Sequence, residues 1–86
     1  MLQAYPNPAS ITALGVSIRL HGNGTHYRVD VIDVRGRRVR HLDGVANDRI
    51  FWDARDDSGT LVRPGVYFLR VETGGRTATA RVTLIR

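Results

Sequence analysis

The stretch Pro64-Gly65-Val66-Tyr67-Phe68-Leu69-Arg70-Val71-Glu72-Thr73-Gly74-Gly75-Arg76-Thr77-Ala78-Thr79-Ala80-Arg81-Val82-Thr83-Leu84-Ile85 decides the fold class. Apolar Tyr67, Leu69 and Val71 alternate with Phe68, Arg70 and Glu72. After Gly74-Gly75, the residues Ala78, Ala80, Val82 and Leu84 alternate with Thr79, Arg81 and Thr83. A period of two is that of a strand with one buried face. Two glycines between such runs are free to take the positive φ of a two-residue hairpin. The stretch therefore reads as two paired antiparallel strands entered through a Pro-Gly bend.

The same period extends toward the N-terminus. Leu14, Val16, Ile18 and Leu20 alternate, as do Tyr27, Val29 and Val31. Turn residues separate the runs at the spacing of an all-β sandwich. His21-Gly22-Asn23-Gly24 ends one run, so His21 and His26 flank an expected hairpin. Asp33-Val34-Arg35-Gly36 places Asp at the first and Gly at the fourth position of a type I turn. Strands are expected near 2–5, 14–20, 26–33, 37–42, 48–53, 65–73 and 76–85. The expected fold class is all-β, a seven-stranded antiparallel β-sandwich without helix. No internal repeat stands out. In Tyr5-Pro6-Asn7-Pro8 the prolines cannot donate to a ladder. Residues 1–8 thus read as an extended lead-in from a linker, and residues 9–86 as the sandwich domain.

Composition narrows function. With 86 residues, folding buries roughly 60% of the unfolded chain's surface, enough for one modest core. Cysteine is absent, which excludes disulfides, thiolate metal sites and a cysteine nucleophile. All 13 basic residues are arginine, so lysine chemistry is excluded as well. Leu2–Tyr5 is too short for the apolar core of a signal peptide, and no apolar run approaches membrane-spanning length. The chain reads as a module of a larger protein whose export signal lies elsewhere.

The net charge of +5 raises nucleic acid as a partner. Arg35, Arg37, Arg38 and Arg40 surround one turn, a candidate contact for phosphate, lipid headgroups or an anionic surface polysaccharide. No aromatic interleaves them, which argues against nucleic acid. Alternation would place Arg38 and Arg40 on one solvated face and Val39 on the other. Trp52, at strand spacing from Ile50, reads as the large core aromatic; exposed, it would be a sugar-stacking platform. Tyr67, after the Pro-Gly bend, reads as a tyrosine corner rather than a catalytic group. Phe51 and Phe68 neighbour inward positions and should face outward. If their strands pair, they form a candidate apolar interface.

Asp53, Asp56 and Asp57 form a polar loop that departs from the spacing of an EF-hand. It reads as a turn, with calcium as the alternative. His21, His26 and His41 lack metal-ligand spacing. Ser10, Ser17 and Ser58 lie in no nucleophile elbow. No catalytic residue, metal or cofactor is expected, and the isolated domain is expected to be a monomer.

Four segments in order carry a resemblance: Tyr5-Pro6-Asn7-Pro8, Val31–Val39, Trp52–Gly59 and Pro64–Arg70. Their spacing resembles the C-terminal Ig-like sorting domains of type IX secretion cargo, and equally the Ig-like domain of the flagellar hook-capping protein. The first resemblance implies a non-catalytic C-terminal module of an exported bacterial protein, located extracellularly or on the outer cell surface. An outer-membrane translocon would read it. The family's signals map onto Pro6, Asn7, Pro8, Gly36, Gly65, Tyr67, Leu84, Ile85 and Arg86. The second implies a structural spacer or assembly domain packed on a neighbouring domain of its parent. A carbohydrate- or anion-binding module is the remaining alternative.

Overall fold

A computed structural model describes residues 3–5, 9–10, 16–19, 25–46 and 49–85, with side chains described within 26–45 and 50–85. Pro6, Asn7, Pro8, His21 and Arg86 lie outside the described residues. The strands are β1 (Gln3–Tyr5), β2 (Ala9–Ser10), β3 (Val16–Arg19), β4 (Thr25–Ile32), β5 (Arg38–Ala46), β6 (Arg49–Trp52), β7 (Gly65–Thr73) and β8 (Arg76–Ile85).

They form two sheets. One has the order β1-β3-β6 and the other β2-β8-β7-β4-β5. The expected count of seven is corrected to eight among the described residues. The addition is β2, whose Ala9 and Ser10 run parallel to Leu84 and Ile85 of β8. Every other pairing is antiparallel. The segment read as a lead-in thus supplies β1 to the three-stranded sheet. The chain then reaches the five-stranded sheet by β2. The expected hairpin around His21 does not form, because β3 and β4 belong to different sheets.

The β7–β8 hairpin follows the sequence. Thr73 pairs with Arg76, and Gly74 and Gly75 take φ values of 57° and 77°. Alternation then turns Tyr67, Leu69, Val71, Ala80, Val82 and Leu84 inward. Val29 and Val31 join them from β4, and Ile50 and Trp52 from β6, so both sheets feed one core. Trp52 is fully buried and meets Tyr67 edge-on, ring centroids 5.7 Å apart at 63°. In a core without disulfides this aromatic pair links strands of the two sheets.

Burying an indole leaves its N–H in need of an acceptor. Trp52 Nε1–H donates to the Arg55 carbonyl at 2.9 Å, only three residues on. The chain turns back that sharply through Ala54, which is buried and sits at φ 61°. Val62 N–H then donates to the Ala54 carbonyl, closing the loop.

A bulge in β5 completes the frame. Val31 faces Arg40 while Ile32 faces Arg38, leaving Val39 as the extra residue. The expectation that Arg38 and Arg40 share a face is therefore corrected. Arg38 lies on the outer face, 3.5 Å from Asp30. Arg40 turns to the other side and donates to the Arg55 and Asp56 carbonyls at 3.3 and 3.0 Å. Its side chain is 24% exposed, against 58% for Arg38.

The two arginines should respond differently to truncation. Arg40→Ala removes two charge-assisted hydrogen bonds from a largely buried guanidinium and should cost about 1–3 kcal/mol in urea unfolding. Arg38→Ala removes an exposed ion pair and should stay within about 1 kcal/mol of the parent. Equal losses would contradict the bulge. Trp52→Ala should cost about 3–5 kcal/mol by the same assay.

Candidate functional site

Two turns of one design stand at the same end of the molecule. In the first, Gly36 N–H donates to the Asp33 carbonyl at 3.0 Å and Asp33 N–H to the Arg37 carbonyl at 2.9 Å. Asp33 Oδ1 accepts from the N–H groups of Arg35 and Arg37 at 2.9 and 3.0 Å. In the second, Gly59 N–H donates to the Asp56 carbonyl at 3.0 Å and Asp56 N–H to the Thr60 carbonyl at 2.9 Å. Asp56 Oδ1 accepts from the N–H groups of Ser58 and Thr60, both at 3.0 Å.

The fourth residue of each turn must take positive φ, and glycine does so at 82° and 88°. The repeat Asp-x-x-Gly is written in the sequence at 33–36 and 56–59. Asp57 joins the second turn to the bulge. Its N–H donates to the Val39 carbonyl at 2.9 Å, and its Oδ1 accepts the His41 N–H at 3.0 Å.

Both turn carboxyls are held below the usual carboxylate range. For Asp33 the main cause is the hydrogen bond from the Arg37 backbone. For Asp56 it is the Ser58 hydroxyl, which donates at 2.6 Å. The loop Asp53, Asp56, Asp57 is thus built as a turn. Asp53 Oδ1 accepts the Arg55 N–H, and Asp56 Oδ1 takes three donors.

A cleft of about 640 Å³ runs between the first turn and residues 60–67. Asp33, Val34, Arg35, Arg37, Gly65 and Tyr67 line it among others. The Tyr67 hydroxyl donates to the Arg63 carbonyl at 2.7 Å, the geometry of a tyrosine corner. Burial first, and then the Asp33 charge, push its pKa up, so it stays protonated at neutral pH.

Gly65 pairs with Leu84, and Leu84 with Ala9, the residue after Pro8. Ile85 follows on the same strand and is 46% exposed. Gly36, Gly65, Tyr67, Leu84 and Ile85 come from three separate parts of the sequence. They converge at this one end of the five-stranded sheet.

Three of the four arginines around the first turn face carboxylates. Arg37 pairs with Asp33 at 3.5 Å, Arg38 with Asp30, and Arg40 with Asp53 at 3.7 Å. Among the described residues Arg35 has no ion pair. The Phe51–Phe68 patch is also corrected. β6 pairs with β3, whereas β7 pairs with β4 and β8, so the two rings sit on different sheets. Phe51 is 52% exposed.

Away from the cleft, His41 bridges Asp30 (Nδ1, 2.8 Å) and Asp43 (Nε2, 3.4 Å). The Asp30 hydrogen bond leads the causes that raise the His41 pKa. That contribution is complete below the unfolded value near 6.5 and is lost as pH rises through the folded value. The parent should therefore melt at a lower temperature at pH 9 than at pH 6, and His41→Gln should shrink the difference. Asp33 and Asp56 act oppositely. Their stabilisation is present above about pH 4 and is lost as pH falls through their lowered values. Asp33→Asn should soften acid unfolding.

With this geometry in place, the comparisons are specific. No curated protein matches the chain. Among solved structures, it is similar to PorZ, an essential bacterial surface component of the type IX secretion system of Porphyromonas gingivalis. The identity is 28% and the TM-score 0.77, over 99% of this chain and 11% of PorZ. It also shares its fold with latent PorU from the same organism, at 19% identity and TM-score 0.75. That match covers 98% of this chain and 9% of PorU. The chain thus spans about a tenth of either relative. Residues 3–85 match the family of secretion system C-terminal sorting domains, and the chain belongs to that family.

Proposed function

We propose that this chain is the non-catalytic, immunoglobulin-like sandwich module by which a larger exported protein is directed through a type IX system. Its parent ends at the cell surface or outside the cell. Recognition is of a folded surface, and that surface is the end carrying the two Asp-x-x-Gly turns.

One observation carries the reading: the convergence of Gly36, Gly65, Tyr67, Leu84 and Ile85. The resemblance marks these residues from sequence alone; Gly65 and Tyr67 line the cleft, and Leu84 pairs with Gly65 at the same end of the sheet, which supports the reading. The chemistry of the cleft favours recognition over reaction. Its carboxylates are occupied by turn N–H groups, and the Tyr67 hydroxyl is committed to Arg63. The partner is the translocon. Membership of the family and the likeness to PorZ favour sorting over a spacer role.

The test is a fusion of residues 1–86 to the C-terminus of a periplasmic reporter in a host with a working type IX system. The reporter should reach the cell surface or medium. Retention in the periplasm, with the fused domain intact, would contradict the reading.

A further inference from the structure

The charges around the cleft are unequally committed. Asp33 spends Oδ1 on two backbone N–H groups and Oδ2 on Arg37. Asp56 spends Oδ1 on Ser58 and Thr60. Both acids are anchored in their own turns. The two other cations of the rim, Arg35 and Arg63, have no carboxylate within ion-pair distance among the described residues.

Exposed apolar side chains stand beside them. Val34, at the tip of the first turn, is 71% exposed, and Leu61, just past the second, is 42% exposed. Pro64 is exposed on the same rim. Apolar side chains at turn tips gain nothing from water, and unpaired guanidinium groups present planar forks suited to carboxylates.

We infer that the cleft takes an acidic, apolar-bearing protein segment. Its carboxylates would pair with Arg35 and Arg63 while an apolar side chain packs between Val34 and Leu61. This rests on the sorting reading and names the chemistry of its receptor. A glycan is the weaker occupant for this cleft. Sugar recognition uses exposed aromatic faces, and among the described residues the one aromatic lining the cleft, Tyr67, is buried with its hydroxyl engaged. The exposed Val34 and Leu61 suit a protein surface, whose interface core is apolar with charge at its rim.

The test uses the reporter fusion with three paired substitutions. Arg35→Glu with Arg63→Glu reverses the rim. Arg35→Lys with Arg63→Lys keeps its charge. Arg70→Glu with Arg76→Glu reverses two exposed charges elsewhere on the five-stranded sheet. Each purified domain is first checked for native Trp52 fluorescence. The inference expects the rim reversal to lower the exported fraction at least tenfold. The lysine pair should lose less than threefold, and the remote reversal less than twofold.

Export of the rim reversal at the parent level would overturn the inference while leaving the sorting reading intact. Failure of the parent fusion itself would overturn that reading instead. Loss of export in the lysine pair equal to that in the glutamate pair would also overturn charge pairing. A second arm titrates the isolated domain with oligogalacturonate. Shifts confined to the Arg35 and Arg63 side-chain resonances would replace the protein segment by a glycan, and no shift there supports the inference.

Discussion

The burial of Trp52 is the constraint on which the rest of the molecule depends. A chain of this size with no cysteine needs one large side chain to tie its sheets together. Trp52 does so from β6, packing edge-on against Tyr67 of β7. Its buried N–H demands an acceptor, and the nearest is the Arg55 carbonyl. Satisfying that bond draws the chain back through a left-handed Ala54 and fixes where the loop beyond it begins. Arg40 donates to the same carbonyl from the other side. The indole, the loop and the bulged strand therefore form one hydrogen-bonded unit.

The end carrying the two turns inherits its shape from this unit. With Arg55 fixed, the Asp56–Thr60 turn lies against β5, joined through Asp57 to Val39 and His41. The Asp33–Arg37 turn begins one residue past β4 and closes on the opposite side of the bulge. Tyr67 roots the third wall by holding the Arg63 carbonyl. The first two walls are tight turns whose aspartate side chains accept their own backbone N–H groups. Val34, Leu61, Arg35 and Arg63 are exposed beside them.

Much of this was legible in the sequence where the cause is local. The period of two placed β4, β7 and β8, whereas β5, expected to end at 42, runs on to Ala46; the Gly74-Gly75 and Asp33–Gly36 turns follow from φ requirements of a few adjacent residues. Trp52 and Tyr67 were readable because a large aromatic at an inward position has few alternatives. What escaped the sequence is non-local. Alternation cannot show that Val39 is bulged, so Arg40 was placed on the wrong face. Nor can it show which strands pair. For that reason the hairpin at His26, the Phe51–Phe68 patch and the parallel pairing of Ala9 and Ser10 were misread or missed. The convergence of Gly36, Gly65 and Leu84 depends on the same pairings. The second Asp-x-x-Gly turn differs: it is written in the sequence at Asp56–Gly59 and needed only comparison with the first.

The end of the domain built from the two turns is where a translocon is proposed to dock. Site-specific photo-crosslinking in a secreting host tests it most directly, with the reactive group at Val34, at Val45 on the distant half of β5, or at Phe51 on the other sheet. The account predicts that Val34 yields an adduct to an outer-membrane protein, while Val45 and Phe51 yield none. An adduct from Val45 or Phe51, with Val34 silent, would contradict it.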